Sequence, residues 1–373
     1  MNRPNLDIIL MPTMACNLAC DYCYVLDKRP SVMEPALAKK AIEQVLAYND
    51  PCVPTNIYWH GAEPLMAGID FYRDICRWIR ERYGRDSVQH RIQTNGILLN
   101  EEWFDFFIEE RITTGVSLDG PPELHDAYRK TPSGRGTFET VFNNIMTARK
   151  KKLYFDVLCV ITRRTLGHED ELFNFFYEHK IDFGFEPIIP ENEHMEREMS
   201  ITPKDYAQVA IKLFDHWFFQ SEQRLKTVVP PYHFLKAILE GGNTYCNFSD
   251  CCARNYLAVS PNGQIHSCIL FARHENLSFG NIAHTSLQEI LNSPVRQRFL
   301  VSRTDLIPRC QQCRWRSLCQ SGCPQHAFIK HGSILQPDAF CESYQWIFDH
   351  VCDTVTHVLG LAIPDAVVSR ERR

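Results

Sequence analysis

The chain of 373 residues has no run of eighteen apolar residues, which excludes a membrane-spanning helix. It also has no charge excess of either sign: 40 Lys and Arg stand against 45 Asp and Glu, a net charge of −5. No basic stripe marks a nucleic-acid surface, and the Arg370–Arg373 end reads as a solvated tail. The opening MNRPNLDIILMPTMA mimics a signal peptide only loosely, because its apolar run is short and is broken by Pro12. A buried first strand fits it better, and the expected location is the cytoplasm. Cysteine, by contrast, is abundant: there are 16, many for a compartment where disulfides are rare, so metal or redox chemistry is the default explanation. The first cluster of them, Cys16, Cys20 and Cys23, spaced C-x3-C-x2-C, has no fourth thiol nearby.

Short β-rich runs alternate with amphipathic helical stretches up to about Ile188. The expected strands are 6–11, 56–60, 89–94, 113–118, 154–161 and 182–188, with helices such as 35–48, 69–83 and 137–151 between them. Such alternation implies parallel βαβ units, and six of them predict an α/β fold, a partial (β/α)6 TIM-like barrel. Its active site belongs at the carboxyl ends of the strands, where the three-cysteine run falls. Residues 191–198 form a charged connector, and helical patterns follow around 203–220 and 231–240. From Cys246 to Cys341 the chain is irregular, with nine cysteines in 96 residues and a hairpin signal in YLAVSPNGQIHSC at 256–268. A segment so short of regular structure is expected to be held by metal rather than by core. The domain division is 1–190, 191–245, 246–350 and a tail at 351–373.

Three thiols on one loop do not suit structural zinc, which takes four ligands. Holding a 4Fe–4S cluster, they leave one iron open to chelate a small molecule. Tyr22, before the last cysteine, adds a ring able to pack on a ligand. Strand alternation places Gln93 and Asn95 of QTNG, and Ser117 and Asp119 of the SLDG run, on one rim. The later C-x2-C-x5-C-x3-C run, Cys310, Cys313, Cys319 and Cys323, reads alone as a zinc ribbon or as cluster ligands. Cys52, Cys76, Cys159 and Cys352 read as buried thiols.

The three-cysteine run, with its aromatic residue and its place after strand one, resembles the signature of the radical SAM superfamily. The resemblance implies a cluster whose open iron binds S-adenosylmethionine (SAM), cleaved by one electron to a 5′-deoxyadenosyl radical that removes a hydrogen atom from substrate. WHGAEP looks like the family's Gly-Gly-Glu-Pro motif, with Gly61, Ala62 and Glu63 at the SAM amino group. By the same resemblance Ser117 meets the ribose or carboxylate end of SAM, Arg129 is a carboxylate partner, and Leu158 lines the adenine pocket. The downstream cysteines, with SFGNI at 278–282, resemble a SPASM domain with two auxiliary 4Fe–4S clusters. Its implied ligands are Cys246, Cys252, Cys268 and Cys323 for the first, and Cys310, Cys313, Cys319 and Cys341 for the second. Cys251 is an alternative to Cys252.

Members with this layout modify peptides or proteins. Sulfatase maturases, which make formylglycine from Cys or Ser, carry an aspartate after the third ligand of the first auxiliary cluster; here Ile269 stands there, and an isoleucine cannot take a proton. CDYCYVLDK, the GVSLDGPPELHDAYRK stretch and VLCVIT look more like maturases of ribosomally made peptides, including those that close cyclophane rings. That reading ranks first, with the sulfatase maturase as the alternative, and no catalytic base is named. The expected partners are a precursor peptide or protein substrate and an electron donor such as flavodoxin or ferredoxin. With strand one six residues from the start, the expected grip on the peptide comes from the barrel rim, the 190–245 connector or a separate partner.

Overall fold

The computed structural model describes residues 4–360 except 27, 29, 221, 243, 244, 250 and 251, so Cys251 and the Arg370–Arg373 end lie outside it. The elements in order are β1 (Asp7–Leu10), α1 (Pro35–Tyr48), β2 (Thr55–Trp59), α2 (Ile69–Tyr83), β3 (Val88–Thr94), α3 (Glu101–Glu110), β4 (Thr113–Ser117), α4 (Pro122–Tyr128) and α5 (Phe138–Lys150). There follow β5 (Phe155–Ile161), α6 (Glu169–His179), β6 (Phe183–Pro187), α7 (Glu193–Glu198), α8 (Pro203–Phe218), β7 (Val228–Val229) and α9 (Pro231–Glu240). The cysteine-rich segment adds β8 (Tyr256–Val259), β9 (Gln264–His266) and β10 (Gly280–Asn281) among short helices, and a long helix, Cys341–Leu359, comes last. All six expected strands form, each within two residues of the expected bounds. The strand–helix alternation therefore carries the mixed α/β fold.

The chain forms two compact units. The first contains residues 1–118, 125–156 and 251–301, the second 119–124, 157–250 and 302–373. In the first, β1 pairs in parallel with β2, β2 with β3 and β3 with β4. On the other side of β1 lies β8, also parallel, with Ile8 opposite Leu257, and β8 turns back into antiparallel β9 and then β10. The Pro-Asn-Gly hairpin is as expected; its docking onto β1, some 250 positions away in the chain, leaves no trace in local periodicity. In the second unit β5, β6 and β7 pair in parallel.

Alternation assigns the two faces of each strand. On β3, Val88, His90, Ile92 and Thr94 are buried beneath the helices, leaving Gln93 on the other face. On β4, Thr114 and Val116 are buried and Ser117 takes the face of Gln93. Helix α1 buries Ala38, Ala41, Ile42 and Val45, a stripe of i, i+3, i+4 and i+7 that packs it against the sheet. Of the four cysteines expected to be buried thiols, Cys76, Cys159 and Cys352 are, but Cys52 is exposed. It sits in the loop between α1 and β2, where its N–H donates to Asp50 Oδ1 at 2.9 Å; the neighbouring apolar residues belong to the elements, not to the loop. Among the described residues no helix is long and apolar enough to cross a membrane.

Candidate active site and auxiliary cluster site

Cys16, Cys20 and Cys23 lie on the loop after β1, each half-buried. A turn from Cys23 N to Cys20 O, 3.2 Å, closes the loop, and Ala19 N and Asp21 N anchor it on the carbonyls of Lys130 and Tyr128 at 2.8 and 3.1 Å. Burial pushes the Cys16 thiol up, and Cys20 up to about 11, while Lys28 pulls both back and Arg129 pulls back Cys20. The Arg129 guanidinium also sits 5.3 Å over the Tyr22 ring, which meets Tyr128 edge-on at 5.8 Å. So Tyr22 and Arg129, expected at a ligand, form a stacked pair that places a cation beside the thiols.

Glu63 is buried and holds three donors. Its Oε1 accepts from Leu65 N at 3.1 Å and Thr94 Oγ1 at 2.7 Å, and its Oε2 from Asn95 N at 2.8 Å, while its own N–H donates to Ala15 O at 3.0 Å. The residue ties the β2 turn to the end of β3 and to the cysteine loop. Burial outweighs these bonds and pushes its pKa up to about 7. Asn95 Nδ2 lies 3.8 Å from Cys16 Sγ and 2.7 Å from Asn17 Oδ1. Gln93 donates to Ser117 Oγ at 3.1 Å, crossing Gly115, where a Cβ would meet Gln93 Oε1 at 2.1 Å; only glycine lets the amide cross. Gly61 offers its carbonyl to the Tyr24 hydroxyl at 3.0 Å, and Ala62 beside it is half-buried. Tyr24 is a site residue that the sequence reading missed, although its place directly after Cys23 was a usable signal. The two remaining expected SAM contacts belong to the second unit. There Asp119 Oδ1 accepts from Val160 N at 3.0 Å, and half-buried Leu158 shares a face of β5 with Val160.

In the first unit, Cys268 and Ile269 join an apolar cluster with Met11, Ala258, Ile9, Met14 and Tyr24. Ile269 is 9% exposed, so the position after Cys268 offers no proton acceptor. Cys252 opens the short helix Cys252–Asn255, whose Ala253 carbonyl accepts from buried Arg296 at 3.1 Å. Cys246 and Cys323 belong to the second unit. That unit also holds a cavity of about 160 Å³ whose wall includes Cys310, Cys313, Cys319 and Cys341 together. Burial raises Cys319 and Cys313, and Cys341 to about 11, so these thiols need a metal to shed their protons. Among the described residues no three Cys, His, Asp or Glu side chains converge on a single ion. A cluster does not ask them to, because each thiolate binds a different iron. Both donor sets therefore fit iron–sulfur clusters: three thiols beside two cations on the first loop, four thiols around one cavity in the second unit. The sequence reading also missed Glu186 of β6, which accepts from the Tyr245 hydroxyl and from Asn247 Nδ2.

The profile of the Radical SAM superfamily matches residues 10–176, from the last residue of β1 into α6. The chain carries a radical SAM domain. An iron–sulfur cluster-binding domain, SPASM, also matches over residues 251–314, which carry Cys252, Cys268, Cys310 and Cys313. The enzyme is 29% identical to a cysteine-type anaerobic sulfatase-maturating enzyme of Clostridium novyi, over 95% of this chain and 97% of that one. A serine-type sulfatase-maturating enzyme of Bacteroides thetaiotaomicron is 28% identical, over 90% and 86%. The solved structure of anSMEcpe with bound AdoMet superimposes with a TM-score of 0.86 at 25% identity, covering 96% of this chain and 99% of that one. Streptococcus suis SuiB bound to precursor peptide SuiA shares the fold, with a TM-score of 0.68 at 19% identity over 92% and 76%. This radical SAM enzyme is thus a SPASM-bearing maturase. The order of the two readings of its reaction is reversed, because similarity along the full length runs to the sulfatase maturases.

Proposed function

We propose that the enzyme oxidises a Cys or Ser side chain of a protein substrate to formylglycine, as a sulfatase-type maturase. The full-length likeness to cysteine-type and serine-type sulfatase-maturating enzymes carries this reading. A solved neighbour with a TM-score of 0.85 and 25% identity, over 96% and 99%, is anSMEcpe with AdoMet and the Cp18Cys peptide, which supports a peptide segment as substrate. Cys16, Cys20 and Cys23 would hold the first cluster, with Gly61, Ala62, Gln93, Asn95, Ser117 and Asp119 around SAM. Cys310, Cys313, Cys319 and Cys341 would hold one auxiliary cluster, and Cys246, Cys252, Cys268 and Cys323 the other. When bound, cluster and SAM supply a carbon radical able to take a hydrogen atom from an unactivated carbon.

The chain's own residues prepare that site. Glu63 fixes the turn against the cysteine loop, Gln93 and Ser117 present polar atoms along one rim, and the Met11–Ala258–Ile269 cluster packs against Cys268. Serine becomes the aldehyde by losing one hydrogen atom, one proton and one electron; cysteine becomes a thioaldehyde, which water converts to the aldehyde with release of hydrogen sulfide. The auxiliary clusters that the eight later cysteines would hold would supply an acceptor for the electron, with a flavodoxin or ferredoxin as the proposed outside partner.

One observation favours the second reading, a crosslink in a precursor peptide: Ile269 leaves no carboxylate at the position where sulfatase maturases carry theirs. A crosslink to an aromatic ring sheds its proton from the ring, to water or to another base. Reduced enzyme, SAM and a sulfatase-derived peptide carrying the Cys or Ser should give 5′-deoxyadenosine and an aldehyde that reacts with a hydrazine. A product two hydrogens lighter that resists hydrazine would sink the formylglycine reading and leave the crosslink.

A further inference from the structure

Directly after Cys319 the backbone turns left-handed for three residues in succession, with φ of 51° at Gln320, 71° at Ser321 and 69° at Gly322. The turn closes the end of the short helix before it: Gln320 N donates to Arg316 O at 3.1 Å and Gly322 N to Cys319 O at 3.0 Å. Glycine takes this conformation freely, whereas a serine there costs on the order of 1 kcal/mol. Ser321 carries a second penalty. It is 4% exposed and its hydroxyl has no hydrogen-bond partner, which costs about 1–3 kcal/mol in a buried setting. The same residue lines the cavity walled by Cys310, Cys313, Cys319 and Cys341.

The neighbours hold Ser321 there and leave its hydroxyl no other use. Asp338 N donates to its carbonyl at 3.3 Å, and the Asp338 carboxylate receives Cys323 N at 2.6 Å and Phe340 N at 2.7 Å. Arg303 grips the next carbonyl, Gly322 O, at 2.5 Å and those of Ile334 and Gln336 at 2.7 and 2.8 Å. Of the other polar side chains in the cavity wall, Arg309 is paired with Glu342 at 3.0 Å and Arg316 with Asp305 at 3.0 Å. Gln345 donates to Cys341 Sγ at 3.5 Å.

We propose that Ser321 donates its hydroxyl hydrogen bond to a sulfur of the auxiliary cluster held by Cys310, Cys313, Cys319 and Cys341, and so sets that cluster's reduction potential. This rests on the ligand set of the proposed function. A donor to sulfur stabilises the added electron, so its loss makes the cluster harder to reduce. Two variants of the reconstituted full chain test it, read by iron and sulfide content and by potentiometric EPR titration. Ser321→Ala removes the hydroxyl and keeps the left-handed strain; Ser321→Gly removes both. Unchanged iron content and an equal shift of one auxiliary signal to more negative potential in both variants is the expected result. Unshifted potentials in both, or a shift in the glycine variant alone, would overturn the proposal, the latter by assigning the effect to strain. Loss of the cluster from Ser321→Gly would overturn it too, since a hydroxyl that only tunes is dispensable for assembly; if the alanine variant alone loses its cluster, the glycine variant decides. The underlying ligand set fails separately if Cys313→Ala and Cys319→Ala leave the iron content and both auxiliary signals intact.

Discussion

Glu63 shows how one buried side chain can tie separate turns of the chain together. Its carboxylate receives Leu65 N, Thr94 Oγ1 and Asn95 N. In Glu63→Gln the amide can accept from only some of these and turns a donor toward the rest, a loss of about 1–3 kcal/mol. The folded pKa is raised from 4.5 to about 7, so Glu63's contribution to stability is complete below the unfolded value and is lost as pH rises through the folded one. The glutamine does not titrate. The Tm advantage of the wild type over Glu63→Gln should therefore shrink between roughly pH 5 and pH 8. An advantage that stays flat across that range would show Glu63 to be ionised throughout. The GAEP motif made Glu63 legible in the sequence as a site residue, but its clamping role was not, because two of its partners, Thr94 and Asn95, lie about thirty positions on, at the end of β3.

Strand β4 owes its place in the rim to a missing side chain. Gly115 sits where a Cβ would meet Gln93 Oε1 at 2.1 Å. Gly115→Ala should leave the strand paired, since the obstructing atom is the end of a flexible side chain, yet it pushes Gln93 off Ser117. The expected outcome is a several-fold higher KM for SAM in 5′-deoxyadenosine formation, with iron content unchanged and stability altered by about 1 kcal/mol or less. An unchanged KM would remove Gln93 and Ser117 from the SAM site. All six βα strands were readable from alternation, because burial on one face imposes a period of two on each strand independently. Strands β8 and β9 were readable as a hairpin, but β8 was not readable as a neighbour of β1, since nothing in the Ile8 neighbourhood encodes a partner at Leu257.

Across the whole molecule, the three thiols of the loop after β1 and the eight later ones are proposed to do different work. Replacing Cys16, Cys20 and Cys23 together with alanine should abolish 5′-deoxyadenosine while retaining the auxiliary iron, about two thirds of the total if three four-iron clusters are present. Retention of SAM cleavage in that variant would refute the assignment of the open cluster to this loop, and iron analysis with EPR checks both halves of the expectation.

The sequence alone determined the cofactor class and the strands: three thiols without a fourth, the GAEP and QTNG turns, and the later C-x2-C-x5-C-x3-C run are local patterns whose spacing carries their meaning. Tertiary structure decided what depends on residues distant in the chain. It turned Glu63 into a clamp, walled Ile269 with Met11 and Ala258, and put Ser321, its hydroxyl without a partner, in the wall of the cavity lined by four cysteines. The reason is physical. Periodicity and ligand spacing act through neighbouring bonds, whereas burial, hydrogen-bond satisfaction and cavity walls arise only when separate segments pack together.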